Sequence, residues 1–368
     1  ATVCNKLPMQ QRIIYWRSLR CCHGNSADAQ SSLTRNRHEL RLVSKESLMW
    51  HPGHIHKGRK RINQKLAAVD AFVEVHDARI PITGRARLFE DSRAARPHAL
   101  VLNKADLVAP SARASWKRFM EEREGPSSRV FHCSLRTSSA ELGRTLTSLM
   151  SGLLQLASQF RPDKREFNIM IAGVPNVGKS SLINALRTYH SGKKAAARVG
   201  KLAGVTRVVG ERILVCQDPP VYVLDSPGIL DPEFKDDIGN MLKLGACGCM
   251  DLNQIDSQVI ADYLLHLLNV RGERSYVKLY DLEGPVTDVR DLLAGICRKH
   301  RLVQAHRNFH TGQLVHGPNL VAGAQALLRH FNQGLLGRLV LDQLPSDLPA
   351  DPPLPFAYSK GAAAKLHH

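Results

Sequence analysis

Phe167-Asn168-Ile169-Met170-Ile171-Ala172-Gly173-Val174-Pro175-Asn176-Val177-Gly178-Lys179-Ser180 decides how this chain is read. Its opening residues are a short apolar run bounded by glycine, the pattern of a buried strand. The residues from Gly173 onward have the form G-x-x-x-x-G-K-S, and Ser181-Leu182-Ile183-Asn184 continues them as a helix. Strand, glycine-framed loop and helix in that order turn backbone N–H groups and a helix N-terminus toward one point, where phosphate binds. Lys179 is placed to reach the β- and γ-phosphates, and Ser180 to ligate Mg²⁺. Pro175, Asn176, Val177, Gly178 and Ser181 complete the lining of the cradle.

Working outward, Val221-Tyr222-Val223-Leu224 reads as a strand running into Asp225-Ser226-Pro227-Gly228. Asp225 is expected to hold Mg²⁺ through water, and the Gly228 amide to sense the γ-phosphate. Between these elements stands Thr206, in Ala203-Gly204-Val205-Thr206. Its hydroxyl is expected to close on the metal when a triphosphate is bound and to release after hydrolysis.

Upstream, Ala99-Leu100-Val101-Leu102 is another apolar run, ending on Asn103-Lys104-Ala105-Asp106. The Asp106 carboxylate can accept from both the ring N–H and the amino group of guanine, a donor pair adenine lacks. A site left with an unpaired carboxylate rejects the wrong base by about four orders of magnitude. GTP and GDP are therefore the expected ligands. A base-reading element normally follows the phosphate loop; here it precedes it. The order implies a nucleotide-binding module whose chain has been cut and rejoined.

The remaining pattern sets the frame. Ala71-Phe72-Val73-Glu74-Val75 and Val130-Phe131-His132-Cys133 are two further strands, and helical patterns run over 111–124 and 138–159. Val208 to Val215 is joined to the strand at Val221 by the short Gln217-Asp218-Pro219-Pro220 link, which suits an antiparallel pair. Strands alternating with helices predict an α/β fold, a doubly wound, mostly parallel six-stranded sheet. Beyond Asp231 only helical patterns are read, around 242–244, 260–268, 286–297 and 323–341. The expected organisation is a basic extension over 1–43, a nucleotide-binding domain over 44–234, a small all-helical C-terminal domain over 235–342 and a disordered tail over 343–368.

Formal net charge is +18 and the pI about 9.8. One bound nucleotide cannot account for that excess. RNA is the first expected partner and an anionic membrane surface the second. No run of eighteen apolar residues is seen, so no membrane span is expected. The eight cysteines lack zinc-finger spacing and read as scattered thiols in a reducing compartment. Ala1 to Arg37 holds Lys6, Arg12, Arg17, Arg20, Arg35 and Arg37 against Asp28. A mitochondrial transit segment and a basic RNA-binding arm both fit that composition.

Taken together, the reversed motif order, Trp50-His51-Pro52-Gly53-His54, Asp77-Ala78-Arg79-Ile80-Pro81 and the phosphate loop resemble the circularly permuted GTPases of ribosome assembly, the YlqF/RbgA family. The resemblance spans about Trp50 to Asp342, and its mitochondrial branch is the nearer. It implies a GTP-hydrolysing factor that binds rRNA and proteins of a maturing large ribosomal subunit and leaves after hydrolysis. Other assembly factors are implied as partners. The implied location is the mitochondrial matrix, with peripheral contact to the inner membrane left open. Basic residues at Lys57, Arg59, Lys60 and Arg61, and at Lys193, Lys194, Arg198, Lys201 and Arg207, fit an RNA partner.

Where a signalling GTPase has a water-orienting Gln after the Gly228 position, this chain has Ile229. The resemblance assigns that role to His54, with His51 and His56 as competitors. It also matches Asn176 to a position that helps hold K⁺. It further makes Ser134, in Cys133-Ser134-Leu135 after the third strand, the guanine-supporting residue. Two departures stand out: Ala203 replaces a common Pro, and Ser134 is not followed by Ala and Lys. The alternative reading, kept open by Ile229, is a nucleotide-gated RNA-binding placeholder with little intrinsic hydrolysis.

Overall fold

The computed structural model describes residues 68–85, 96–125, 128–136, 140–192, 212–225, 238–250, 255–307 and 314–344. Its centre is β1 (Ala71–Asp77), β2 (His98–Asn103), β3 (Ser128–His132), β4 (Phe167–Ala172), β5 (Arg212–Gln217) and β6 (Pro220–Asp225). They form one six-stranded sheet in the order β3-β2-β1-β4-β6-β5. Every residue of β1 and β2 is buried. Helices cover both faces of such a sheet, and β2 carries the continuous apolar run this favours. β1 instead buries Glu74, His76 and Asp77 among its apolar residues, with Glu74 meeting Arg85 at 3.1 Å. The helices are α1 (Pro110–Glu124), α2 (Ala140–Phe160) and α3 (Lys179–Ser191). α2 buries Leu146, Leu149, Met150, Leu153 and Leu156 at helical spacing. Each such side chain contributes about 1.5–3 kcal/mol when fully buried.

Five strands run parallel, and only β5 is antiparallel to its neighbour β6. The short link from Gln217 to Pro220 allows no crossover, so β5 and β6 pair as the expected hairpin. Parallel pairing has one consequence that positions the site. The ends of β1, β2, β3, β4 and β6 all lie along a single edge of the sheet. Asp77 is in register with Asn103, Leu102 with His132, and Ile171 with Asp225. The chain builds outward from β1 through β2 to β3, then returns to the other side of β1 to place β4. That reversal leaves a crevice between β1 and β4, where ligands bind in open α/β sheets.

The C-terminal part holds α4 (Ile238–Ala246), α5 (Ser257–Val270), α6 (Ser275–Leu279), α7 (Val289–His300) and α8 (Leu320–Gln333). Asp256, Asp288 and Asn319 cap α5, α7 and α8, each side chain accepting from a backbone N–H of the first turn. The expectation of helices alone is corrected in one place. Val303–Arg307 (β7) and Leu314–Pro318 (β8) pair as an antiparallel hairpin between α7 and α8. These strands are short and largely exposed, so they lack the apolar run that marks a buried strand. Helix α8 also stops earlier than the apolar pattern, at Gln333, because Gly334 turns left-handed and caps it. No described helix is long and apolar enough to cross a membrane.

Candidate functional site

The phosphate loop is built as its sequence requires. Gly173 leaves β4 with φ 149°, and a Cβ there would lie 2.2 Å from the Val75 carbonyl oxygen. Gly178, at φ 107°, enters α3, and a Cβ there would lie 2.3 Å from Asn103 Nδ2. Only glycine permits both the turn and the approach. Between them Asn176 adopts φ 59°, a conformation its short amide tolerates. The Lys179 ammonium donates to the Val174 carbonyl at 2.9 Å, which holds the side chain back over the loop. Ser180 and Ser181 lie in the first turn of α3, beside the same N-terminus.

The base-reading segment lies directly against this loop. Asn103 Nδ2 donates to the Val177 carbonyl at 2.7 Å. Its Oδ1 accepts from the Leu135 amide at 3.2 Å and from the Cys133 thiol at 3.7 Å. One buried amide thus ties together the ends of β2, β3 and the phosphate loop. Asp106 sits in a single 3₁₀ turn, Ala105–Leu107, and accepts from the Ser134 hydroxyl. The Ala105 amide donates to the Cys133 carbonyl at 3.0 Å, so Asp106 and Ser134 are held on adjoining loops. Both line a cavity of about 250 Å³, with Cys133, Arg113, Glu141 and Arg338 among its other walls.

Lys104 stands behind Asp106 in a left-handed conformation, φ 60°. Its ammonium lies 2.8 Å from Asp77 Oδ2. Asp77 is also gripped by Arg79, through Nε at 2.9 Å and Nη2 at 2.7 Å. Burial alone would raise the Asp77 carboxyl. The Arg79 guanidinium and then the Lys104 ammonium outweigh it and hold that carboxyl far below its usual range. Burial likewise works against the two cations, and Asp77 more than reverses it, so both are held charged. Three thiols nearby stay neutral. Burial and the Asp106 carboxylate push Cys133 up to about 12, burial pushes Cys249 up to about 11, and burial pushes Cys247 up as well. The described cysteines are free and buried, as scattered structural thiols should be.

The C-terminal part reaches this edge too. Asn176 Nδ2 donates to the Gly248 carbonyl at 2.8 Å, in the loop after α4. Arg79 donates to Asn332 Oδ1 at 2.8 Å and stacks over Phe331 at 4.7 Å, both in α8. Asn332 in turn donates to the Ala246 carbonyl at the end of α4.

The structure therefore brings Asn103, Lys104, Asp106, Ser134, Pro175, Asn176, Val177, Gly178, Lys179, Ser180 and Ser181 to one edge of the sheet. Asp225 ends β6 on that edge, in register with Ile171. His54, Thr206 and Gly228, and with them His51, His56 and Ile229, lie outside the described residues, as do 1–43 and 345–368. Sequence reasoning gave no role to Asp77, Arg79 or Arg338. The first two carried a signal, a motif closing the strand beside β2; Arg338 carried none.

A phosphate cradle and a guanine-reading turn, joined through Asn103 at one edge of a mostly parallel sheet, define a guanine-nucleotide-binding P-loop protein in permuted order. Comparison with known proteins agrees. Residues 168–294 match the family described as "50S ribosome-binding GTPase". "Mitochondrial GTPase 1" of Aedes aegypti is 38% identical over 303 residues, 82% of this chain and 95% of that protein. "Mitochondrial ribosome-associated GTPase 1" of Mus musculus is 38% identical over 80% of this chain and 90% of that protein. "Ribosome biogenesis GTPase A" of Bacillus licheniformis is 31% identical over 70% of this chain and 88% of that protein. The chain belongs to this family of circularly permuted GTPases, on the branch of mitochondrial ribosome-associated GTPase 1. The crystal structure of GNP-bound YlqF from T. maritima has the same fold, with TM-score 0.51, 22% identity, and coverage of 79% of this chain and all of that one.

Proposed function

We propose that this GTPase acts in assembly of the large ribosomal subunit in mitochondria, binding rRNA while loaded with GTP and leaving after hydrolysis. The reading is supported by the printed names of its relatives, by the net charge of +18, and above all by one contact. That contact is the 2.7 Å hydrogen bond from Asn103 to Val177, which makes the base-reading and phosphate-binding elements parts of one site.

In this reading Asp106 takes the donor edge of guanine, with Lys104 and Ser134 beside it, and the phosphate loop takes the phosphates. The Lys179 ammonium leaves the Val174 carbonyl for the terminal phosphates. The residues suit Mg²⁺: Ser180 supplies a hydroxyl at the start of α3, and Asp225 and Thr206 are the further ligands proposed. Bound there, Mg²⁺ supplies charge neutralisation on the transferring phosphate. His54 orients water in place of the absent Gln, and Gly228 senses the γ-phosphate. A K⁺ beside Asn176 would take the side-chain Oδ1, since Nδ2 is given to the Gly248 carbonyl. We take 44–234 as the nucleotide-binding part, 235–342 as the C-terminal part and 1–43 as the targeting or RNA-binding extension.

Turnover, phosphate-release and co-sedimentation measurements test the proposal. GTP turnover is expected to rise when large subunits are added, and His54→Ala to lose that rise while keeping nucleotide affinity. Equal rates with and without subunits would remove the ribosome from the mechanism. The Ile229 substitution favours a second reading, a placeholder that hydrolyses little. Single-turnover phosphate release on bound subunits separates the two, since a placeholder releases none. Co-sedimentation with large-subunit particles should be stronger in GTP than in GDP and should weaken steeply with salt.

A further inference from the structure

The chain beyond α8 is fixed at both of its ends, and the same residue grips each. Arg79 donates from its guanidinium to Asn332 Oδ1 at 2.8 Å, where α8 closes. The Arg79 carbonyl accepts from the Leu341 amide at 2.7 Å. Next along, the Asp342 carboxylate accepts from the amides of Ile82 and Thr83 at 2.8 and 2.9 Å and from Lys243 at 3.0 Å. Within the span, Arg271 donates to the Val340 carbonyl. At its start a side chain on Gly334 would meet Leu107 at 2.9 Å, so the turn after α8 rests on the segment that carries Asp106. A strap held this way has no freedom to drift. It passes along the base-reading turn, and Arg338, exposed at its middle, is a wall of the cavity that Asp106 and Ser134 line.

We propose that Arg338 is part of the guanine site, supplied by the C-terminal part to a pocket otherwise walled by the loops after β2 and β3 and by α1 and α2. The inference rests on the reading that Asp106 takes the donor edge of the base. Guanine then presents its O6 and N7 acceptors, the pair that a guanidinium fork matches. Adenine carries an amino donor in place of O6, so the same guanidinium disfavours it. Arg338 therefore adds guanine affinity and selectivity to a pocket that Asp106 and Ser134 line. Attachment of the C-terminal part and occupancy of the base pocket become linked, since the strap that carries Arg338 is anchored to Arg79.

The test measures Kd for GDP, GTP, IDP and ADP by calorimetry on the full chain, for wild type, Arg338→Met and Asp106→Ala. Methionine keeps the length of the stem and removes the donors. Losing a charge-assisted hydrogen bond is expected to weaken GDP, GTP and IDP alike, by about tenfold or more. ADP binding should not fall, and the melting temperature without nucleotide should stay at the wild-type value because Arg338 is exposed. Unchanged GDP affinity in Arg338→Met overturns the proposal. A larger loss for GTP than for GDP also overturns it, since that marks a phosphate contact, and an equal loss for ADP does so by marking a ribose contact. If Asp106→Ala leaves GDP binding intact, the guanine-site reading itself fails, which is a separate result from a neutral Arg338→Met.

Discussion

Asp77 shows how one buried residue can hold a site together without touching the ligand. It is fully buried and carries its charge only because Arg79 and Lys104 surround it. Replacing Asp77 by Asn leaves two buried cations facing a neutral amide. Breaking a buried pair from one side costs about 3–5 kcal/mol. Asp77→Asn is therefore expected to lower the unfolding free energy by that amount, read as a lower denaturant midpoint, and to weaken GDP binding as Lys104 loses its anchor. A midpoint within error of wild type would show that Arg79 and Lys104 find other partners. Asn103 works in a similar way, spending both faces of its amide on the Val177 carbonyl and the Leu135 amide. The identity of Asn103, Asp106 and Lys179 could be read from the chain as chemistry. The role of Asp77 could not, because its meaning lies in which cations fold onto it.

The phosphate loop is the element on which the site depends, and its geometry is set by contacts across the sheet. Gly173 passes so close to the Val75 carbonyl that no side chain fits between them. Gly173→Ala is expected to displace the loop, since backbone on a central strand cannot give way as a flexible side chain can. GDP affinity should fall at least a hundredfold, while far-UV circular dichroism stays close to wild type because the strands and helices remain. Affinity within a factor of three would mean that the loop rebuilds around the methyl group. The short hairpin of β7 and β8 is the element that the chain did not announce. Its residues Val303, Leu314 and Val315 are exposed, so it carries no buried run to distinguish it from a loop. Strands such as β2 and β4 were legible for the opposite reason: burial on two faces favours continuous apolar sequence.

Across the whole molecule, buried ionisable groups set the response to acid. Burial, with Arg113 and Lys117 nearby, lowers His132 from 6.5 to about 4. Between those values the unfolded chain binds a proton and the folded one does not, so stability falls as pH drops from 6.5 toward 4 and is fully present above 6.5. Glu124 adds a second window. Burial would raise its carboxyl, but His98 and Arg85 lower it from 4.5 to about 2. Its contribution is present above 4.5 and is lost as pH falls toward 2. A melting-temperature series from pH 8 to 4 should decline below 6.5 in wild type and decline less in His132→Gln, with His330, also lowered by burial, carrying part of the remainder. A flat wild-type profile would contradict the placement of His132. What the chain determined alone was composition of the site and class of fold. Strand pattern, phosphate loop and base-reading motif are local signals, each written in consecutive residues. What only tertiary structure decided was how those pieces meet. Parallel pairing put the strand ends on one edge, so the reversed motif order became one site with Asn103 as its join. The return of the chain through α8 brought Asn332 to Arg79, and the segment after it brought Arg338 to that same edge. Such contacts join residues far apart in sequence, and no local pattern encodes which distant side chain will fill a given space.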